Sequence, residues 1–259
     1  TNEEGVVVYL AGNSQTLKSK TSNIIIGDGS FGYVNTGSGN NMTIGKDYLV
    51  ATPISAPHIN LNKKSIFIYS NDSTGEITNY NNLRSLGDEN YGIYTSGRAY
   101  NYGNIDFSNG VGNVGLYSYN ENLSGPIREV INYGEIKVSK SDITNVNDKK
   151  YGIGMAAGYT TTDTGNIVNN SIITGTNGNI SGYNIVNNDL IAFGEQAVLR
   201  AADKLTNNAG KAIYGGNLLD IGFNTLENLS GELLSIGVIN LRGNYLLNQT
   251  GMIKSSGDI

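Results

Sequence analysis

Hydrophobic residues along this chain alternate with polar ones in short runs, which is the pattern of strands that bury one face. Four such runs lie in the amino-terminal third, at 6–10, 23–26, 41–44 and 65–69, and each is bounded by Gly, Asn or Ser. In a strand, successive side chains point to opposite faces, so the apolar positions form an inner face and the polar ones an outer face. The pattern predicts an all-β protein built from short strands.

The strands recur together with a short phrase, which reads Gly, then Asn or Glu, then Ile or Leu. Its copies lie at 75–77, 103–105, 134–136, 165–167, 178–180 and 231–233, with a looser copy at 251–253. A second phrase alternates with the first, at 91–94, 114–117 and 151–154. Self-similarity at a period of about 20–50 residues is the signature of repeat architectures. Two or three short strands per repeat predict the turns of a parallel β-helix.

Stacking of such turns predicts ladders of equivalent residues along the axis. The copies at 103–107 and 134–138 agree in their apolar positions, whereas the copy at 165–169 ends on a polar residue. Its strand is therefore expected either to be shorter or to slip in register. The predicted inward ladders are Ile105 over Ile136 over Ile167, and Phe107 over Val138 over Asn169.

Two further ladders are expected at the turns between strands. Asn101 would lie over Asn132, with side-chain amides that bond one turn to the next. Tyr102 would stack on Tyr133 beside them. These ladders would hold the turns in register.

One segment breaks the strand pattern. Residues 194–206 are rich in helix formers and place Val198, Ala201, Ala202 and Leu205 at helical spacing. We expect a short helix here, packed on the outside of the solenoid. The alternative is a boundary near 190–212 between two differently built halves of one β-helical segment, 1–259.

Loops inserted between turns are predicted at 46–64, 79–90, 119–130, 140–150 and 186–212.

Composition excludes several classes of protein. Charged residues make up 15% of the chain and the net charge is −5, so no basic surface for nucleic acid is expected. No apolar run approaches the length of about 18 residues that a membrane-spanning helix needs, so no membrane insertion by this segment is expected. The lack of Cys suits an exported protein. If the chain is a fragment, exposed strand edges at its ends would favour end-to-end self-association.

Catalytic chemistry finds little support in the sequence. His58 is the only histidine and Cys is absent, so a zinc site with several His or Cys ligands is excluded. We expect His58 to be an exposed loop residue. The acidic residues are scattered, and Asp106 beside Lys137 is expected to form a solvated charge pair across turns. The residues at 27–30 are expected to form a turn rather than a calcium site. The chain is therefore expected not to be an enzyme and to bind no cofactor or metal.

Tyrosine is concentrated between positions 91 and 133, with arginines among it. Tyr and Arg are enriched in recognition surfaces because they offer a large contact area and polar tips. The plainer alternative is that several of these rings form stacking ladders on the surface of the helix. The candidate binding residues are Tyr91, Tyr94, Arg98, Tyr100, Tyr117, Tyr119 and Arg128.

The sequences Tyr-Gly-Ile-Tyr-Thr-Ser-Gly at 91–97 and Asn-Tyr-Gly-Asn-Ile at 101–105 resemble the repeats of large type V autotransporter passengers, particularly the fusobacterial adhesins. The resemblance covers about residues 70–185 well and the remainder loosely. It implies a right-handed parallel β-helix displayed outside the bacterial outer membrane. It also implies adhesion to a glycan or protein receptor on host cells or on other bacteria. Two alternatives stay open: a polysaccharide-degrading β-helix enzyme, and a stalk segment with no ligand of its own.

Overall fold

The structure, a computed structural model, describes residues 5–20, 23–45, 58–119, 128–158 and 164–259. Within these ranges the chain forms strands and connecting turns, and no helix. Each strand pairs in parallel with the equivalent strands one turn before and one turn after it, except that the strands of the first and last turns pair on one side only. Three strands make one turn, and about ten turns stack along the axis. The predicted all-β parallel β-helix is confirmed.

The strands, numbered in chain order, form three faces. Face A contains β1 (Val6–Leu10), β4 (Phe31–Asn35), β7 (Ile66–Ser70), β10 (Tyr91–Thr95), β13 (Val114–Ser118), β16 (Ile153–Ala156), β21 (Leu218–Gly222) and β24 (Val238–Arg242). Face B contains β2 (Thr16–Ser19), β5 (Asn41–Ile44), β8 (Glu76–Asn79), β11 (Arg98–Asn101), β14 (Arg128–Asn132), β17 (Gly165–Asn169), β22 (Thr225–Leu229) and β25 (Tyr245–Gln249). Face C contains β3 (Ile24–Ile26), β6 (His58–Leu61), β9 (Asn82–Ser85), β12 (Ile105–Asp106), β15 (Ile136–Val138), β20 (Ala212–Gly215), β23 (Glu232–Ser235) and β26 (Met252–Ser255).

Two long strands, β18 (Ile173–Asn187) and β19 (Leu190–Asn207), each run through all three faces. They pair with each other along their length, and the register shifts at the corners. The predicted helix at 194–206 is therefore wrong, because this segment lies inside β19. The buried residues of this segment, Ala197, Leu199, Ala201 and Leu205, lie at even spacing, as a strand requires. Val198 and Ala202, which complete the apparent helical spacing, are only partly buried. Neighbouring strands on both sides supply the backbone partners that favour a strand.

The interior is filled by aliphatic ladders that follow the axis. On face C one aliphatic residue from each turn occupies the same register, in the order Ile24, Ile59, Leu83, Ile105, Ile136, Ile173, Ile191, Ile213, Leu233 and Ile253. Full burial of one such side chain contributes roughly 1.5–3 kcal/mol. The ladder is the main apolar support of this face.

The predicted ladder of Ile105 over Ile136 is confirmed, but its third member is wrong. Ile136 is followed by Ile173, whereas Ile167 lies on face B between Val130 and Ile185. The interval of 31 residues from the copy at 134–136 to the copy at 165–167 is shorter than a whole turn, because residues 140–150 are inserted in this turn. Ile167 consequently lies on face B, one face before face C.

A ladder of asparagines, all buried except Asn248 at its end, runs along the corner after face B. Each side-chain amide donates to the side-chain oxygen of the next asparagine, at 2.8–3.2 Å. The predicted bond from Asn101 to Asn132 is one of these, at 2.9 Å. Asn169, which breaks the apolar pattern of its strand, is another member of this ladder. The members are Asn79, Asn101, Asn132, Asn169, Asn187, Asn207, Asn228 and Asn248.

Glycine recurs in the repeated phrase because the turns approach each other closely at this corner. A Cβ atom at Gly103 would overlap the carbonyl oxygen of Asn81, and one at Gly134 would overlap that of Gly103. These neighbours are backbone atoms that cannot rotate away. Packing of one turn on the next therefore requires a residue without a side chain here.

The predicted loops have mixed outcomes. Residues 140–150 do leave the three faces, and 27–30 do form a turn. The predicted loop at 79–90 is too long because it contains β9, and the loop at 186–212 is wrong because β19 fills most of it. In the loops at 46–64 and 119–130, residues 46–57 and 120–127 lie outside the described residues, and both predictions are too long because β6 and β14 begin within them. Strand pairing continues from β18 through β19 to β21, and the boundary near 190–212 stays a prediction.

Candidate functional site

An aromatic row lies on the outer surface of face A. Tyr69, Tyr94 and Tyr117 share one register on three successive turns, because Ile68, Ile93 and Leu116 before them point inward. Ring centroids of Tyr69 and Tyr94 are 5.5 Å apart, and those of Tyr94 and Tyr117 are 5.0 Å apart. The rings are tilted by 31° and 40°, so they overlap obliquely. All three rings are partly exposed to solvent.

Tyr91 begins the strand that carries Tyr94 and packs edge-on against two members of the row. Its ring centroid is 5.5 Å from that of Tyr94 and 6.2 Å from that of Tyr117. Burial raises the pKa of the Tyr91 phenol, and the nearby Glu89 carboxylate raises it further. The phenol therefore keeps its proton at neutral and mildly alkaline pH and can donate a hydrogen bond.

A short hairpin, residues 141–151, projects beside this surface. Asp142 and Lys150 form an antiparallel bridge in which each amide donates to the other carbonyl at 2.7 Å. The Asp142 carboxylate also accepts hydrogen bonds from the amide and hydroxyl of Thr144, and these bonds lower its pKa. The hairpin is thus closed by its own hydrogen bonds.

The hairpin is fixed to the body of the β-helix by an ion pair. Nζ of Lys150 lies 2.8 Å from Oε1 of Glu89 and 3.8 Å from Oδ2 of Asp148. The hydrogen bond to Glu89 raises the pKa of Lys150. Gly112 lies beneath the hairpin, and a Cβ atom there would come within 2.8 Å of the Lys150 Cβ. The absence of a side chain at Gly112 makes room for the lysine.

Face A and the hairpin enclose a cleft of about 620 Å³, the tyrosine cleft. Its floor is formed by the tyrosines and by branched aliphatic residues, and its walls are formed by charged residues of the hairpin and of the corner before face A. It is lined by Lys64, Ile66, Glu89, Tyr91, Tyr94, Gly112, Val114, Tyr117, Asp148, Lys149, Lys150, Tyr151 and Ile153.

A second, smaller cleft lies on the other side of the hairpin. Its volume is about 290 Å³, and its walls carry amides and one carboxylate. Tyr151 borders both clefts and is 42% exposed. The lining residues are Ser141, Ile143, Tyr151, Asn177, Gly178, Asn179, Glu195, Gln196 and Val198.

The predicted binding residues do not all meet in one place. Tyr91, Tyr94 and Tyr117 line the tyrosine cleft. Tyr119 stands just outside it, 6.3 Å from Tyr117 by ring centroids and 40% exposed. Arg128 is 3% exposed and lies near Tyr117 and Tyr119; burial lowers its pKa, and the two tyrosines oppose that shift.

Two of the predicted residues lie on a different face. Arg98 and Tyr100 belong to β11 on face B, where they pair in register with Glu76 and Thr78. Nothing brings these two side chains to the tyrosine cleft on face A. Nearness along the chain therefore does not bring them to the cleft, and a binding role for them stays a prediction.

The predicted stack of Tyr102 on Tyr133 is confirmed, and Tyr80 extends it. Ring centroids are 4.7 Å apart for Tyr102 and Tyr133 and 4.8 Å apart for Tyr80 and Tyr102, and each pair is parallel to within 7°. Burial raises the pKa of Tyr102. This parallel stack lies at the corner after face B and supports the alternative that some of the tyrosines are structural.

Sequence reasoning missed the charged residues that line the cleft, which are Lys64, Glu89, Asp148, Lys149 and Lys150. All five fall within the predicted loops at 46–64, 79–90 and 140–150. Membership of a predicted loop therefore indicates the part of the chain that holds these residues. It does not indicate which loop residues meet in the cleft, because their meeting depends on the geometry of the corner before face A.

A third cleft, of about 280 Å³, lies on face C and includes His58. His58 is exposed as expected, but it is the first residue of β6 rather than part of a loop. Asp106 is paired in register with Arg84 on one side and Lys137 on the other. Asp106 and Lys137 are therefore adjacent across turns as expected, but the expected charge pair is replaced by one between Lys137 and Glu135, at 3.9 Å.

Comparison with known proteins gives no relative: the chain matches no family model, no curated protein and no solved structure. Across the described ranges, no helix is long and apolar enough to cross a membrane. The same ranges bring together no group of three or more His, Asp or Glu side chains that could hold a metal ion.

Proposed function

We propose that this β-helix is a segment of a bacterial surface adhesin, displayed outside the outer membrane, and that its tyrosine cleft binds a glycan of a host cell or of another bacterium. The observation that carries the proposal is the meeting of Tyr91, Tyr94 and Tyr117 with a charged hairpin wall in one open cleft. The placement at the cell surface rests on the resemblance of 91–105 to autotransporter repeats.

The chemistry of the cleft suits a sugar. A sugar ring has apolar C–H surfaces and a rim of hydroxyls, so it needs aromatic surface together with donors and acceptors. The tyrosines supply both, because a phenol combines a large apolar body with a polar tip. Glu89 and Asp148 add acceptors, and the lysines add donors. A concave site with a few convergent polar groups is the usual form of a ligand site.

A rigid β-helix suits adhesion because each turn is fixed by its neighbours and insertions between turns can vary. The hairpin 141–151 is such an insertion, and it creates the cleft. A stalk segment without a ligand would need neither the hairpin nor the partly exposed aromatic row.

The test is binding of the labelled chain to a glycan array printed beside host-cell surface proteins. We expect saturable glycan binding that is lost in the double variant Tyr94→Ala/Tyr117→Ala. The matched control is Tyr102→Ala/Tyr133→Ala, which also removes two stacked tyrosines but lies away from the cleft. Circular dichroism and thermal melting would show that both variants are folded.

Equal loss in both variants would contradict the assignment of the cleft. Binding to arrayed proteins alone would replace the glycan by a protein receptor. A blank array would favour the stalk, and cleavage of an arrayed polysaccharide would favour the enzyme.

A further inference from the structure

The carboxylates that line the tyrosine cleft have ion-pair partners, whereas two of its three lysines have none in the described structure. Both carboxylates in its wall, Glu89 and Asp148, are engaged by the single amine of Lys150, at 2.8 and 3.8 Å. The remaining two amines, on Lys64 and Lys149, are exposed. Within the described ranges neither of them forms an ion pair. The cleft therefore presents positive charge on a chain whose net charge is −5.

The corner that carries Lys64 has an unusual backbone. Lys64, Glu89 and Gly112 occupy the same corner on three successive turns, each with a positive φ, of 54°, 59° and 69°. The amide of Lys64 donates to the carbonyl of Asp88, that of Glu89 to Val111 and that of Gly112 to Lys140. Glycine or asparagine is the usual residue at such a φ, and other side chains are uncommon there.

Two of these three left-handed positions nevertheless carry charged side chains, and both side chains line the cleft. For Glu89 the reason is visible, because it binds Lys150. For Lys64 no partner within the described structure gives an equivalent reason. An anionic group of a ligand, bound by the Lys64 amine, would give such a reason.

The two amines belong to different walls. Lys64 lies at the corner before face A, and Lys149 lies on the hairpin. A negative group between these walls would gain charge-assisted hydrogen bonds from both sides, and these are stronger than neutral ones. The phenol of Tyr91, which keeps its proton, adds a neutral donor at the floor.

We infer that the tyrosine cleft takes an acidic saccharide, a sugar that carries a carboxylate or a sulfate, and that Lys64 and Lys149 hold the acid group. This inference rests on the proposed function. It adds the chemical class of the ligand and two residues that select it.

The experiment is a set of binding titrations with three probes: lactose as the neutral sugar, sialyllactose as the carboxylate and a heparin-derived tetrasaccharide as the sulfate. We expect at least one acidic probe to bind about tenfold or more tighter than lactose, which is the size of one charge-assisted hydrogen bond. Added salt should weaken that difference, because screening acts on exposed charges.

The test variant is Lys64→Gln/Lys149→Gln and the control is Lys63→Gln/Lys140→Gln. Both pairs change the net charge equally, and Lys63 and Lys140 are exposed next to the cleft without lining it. Acidic-probe binding should fall about tenfold or more in the test variant and less than about twofold in the control. Lactose binding should change in neither.

Three results would overturn the inference. They are binding of lactose as tight as that of both acidic probes, equal losses in the two lysine variants, and no binding of either acidic probe. If array glycans still bind and Tyr94→Ala/Tyr117→Ala still abolishes that binding, the proposed function stands and only the acidic ligand fails. If no glycan binds at all, both fail.

Discussion

Nζ of Lys150 donates a 2.8 Å hydrogen bond to Oε1 of Glu89, which lies 61 positions earlier in the chain. Glu89 is held at a corner of the β-helix in a left-handed conformation, and Lys150 ends the hairpin 141–151. The bond passes over Gly112, which has no side chain to obstruct it. This contact determines where the hairpin stands relative to the aromatic row, and so it shapes the tyrosine cleft.

We predict that Glu89→Gln loosens the hairpin without unfolding the body. The amide keeps the size of the side chain but loses the charge that holds Lys150. Hydrogen exchange of backbone amides in 141–152 should become faster, while the melting temperature changes little because the pair is partly exposed. Asp148→Asn is the control, since its oxygen is 3.8 Å from the lysine and its side chain is 65% exposed. Unchanged exchange in Glu89→Gln would show that the ion pair does not anchor the hairpin.

The asparagine ladder should contribute more to stability in its interior than at its end. Asn132 is buried and bonded to ladder neighbours on both sides, at 2.9 and 3.2 Å. Asn132→Ala leaves those neighbours without partners, and we expect a loss of about 1–3 kcal/mol in the free energy of unfolding. Asn248→Ala is the matched control, because Asn248 is exposed and has one ladder neighbour. Equal shifts of the two urea denaturation midpoints would contradict the ladder's role.

Close approach of the turns predicts that Gly134→Ala is poorly tolerated. The added Cβ would overlap the backbone oxygen of Gly103, so the two turns must separate. We expect a cost of about 1–3 kcal/mol, the usual size of an overpacking effect, seen as a lower melting temperature. Gly194→Ala is the control, because its Cβ would meet nothing nearer than 3.8 Å and its φ is not left-handed. A comparable loss in both variants would mean that steric overlap is not the cause.

Asp72 should make stability depend on pH in the acid range. Burial alone would raise its pKa, but hydrogen bonds from the amide of Asn40 and from the amide and hydroxyl of Thr74 outweigh burial and lower it. A lowered pKa in the folded state means that the ionised carboxylate stabilises the fold above the ordinary value of 3.8. That stabilisation is lost as the pH falls through the lower, folded pKa.

The corresponding measurement compares the wild type with Asp72→Asn by calorimetry. The variant should melt at a lower temperature near neutral pH, and the difference should shrink as the pH falls below 3.8. The partly exposed Asp106, whose carboxylate accepts bonds only from nearby Ser108 in the described structure, provides the control Asp106→Asn. A difference for Asp72→Asn that persists unchanged at low pH would rule out the carboxylate as its source.

Much of the fold follows from local pattern. The alternation in β1 and β5, the inward Ile105 and Ile136, and the asparagine bond between turns are consequences of strand period and of stacking, and the sequence displays both. The predicted helix at 194–206 is wrong because Val198 and Ala202, two of the four residues at helical spacing, lie on the less buried side of β19. Apolar residues on both sides of a strand can imitate helical spacing, and the pairing of β19 with the turns on either side favours the strand.

The site was predictable to a smaller extent. Tyr91, Tyr94 and Tyr117 meet because strand register aligns them, and their repeated phrase shows that register. Lys64 joins them from the corner before face A, and Lys149 joins them from the inserted hairpin 141–151. No repeat in the sequence relates Lys149 to the tyrosines. Tyr100 was grouped with them by nearness along the chain, although a corner of the β-helix places it on another face.

The most direct test of the tyrosine cleft is a crystal structure of the chain with the glycan that binds most strongly on the array. We predict electron density for the sugar between Tyr94, Tyr117 and the hairpin 141–151, with its polar groups bonded to the cleft walls. Density for the sugar on face B or face C, with the tyrosine cleft empty, would contradict the account.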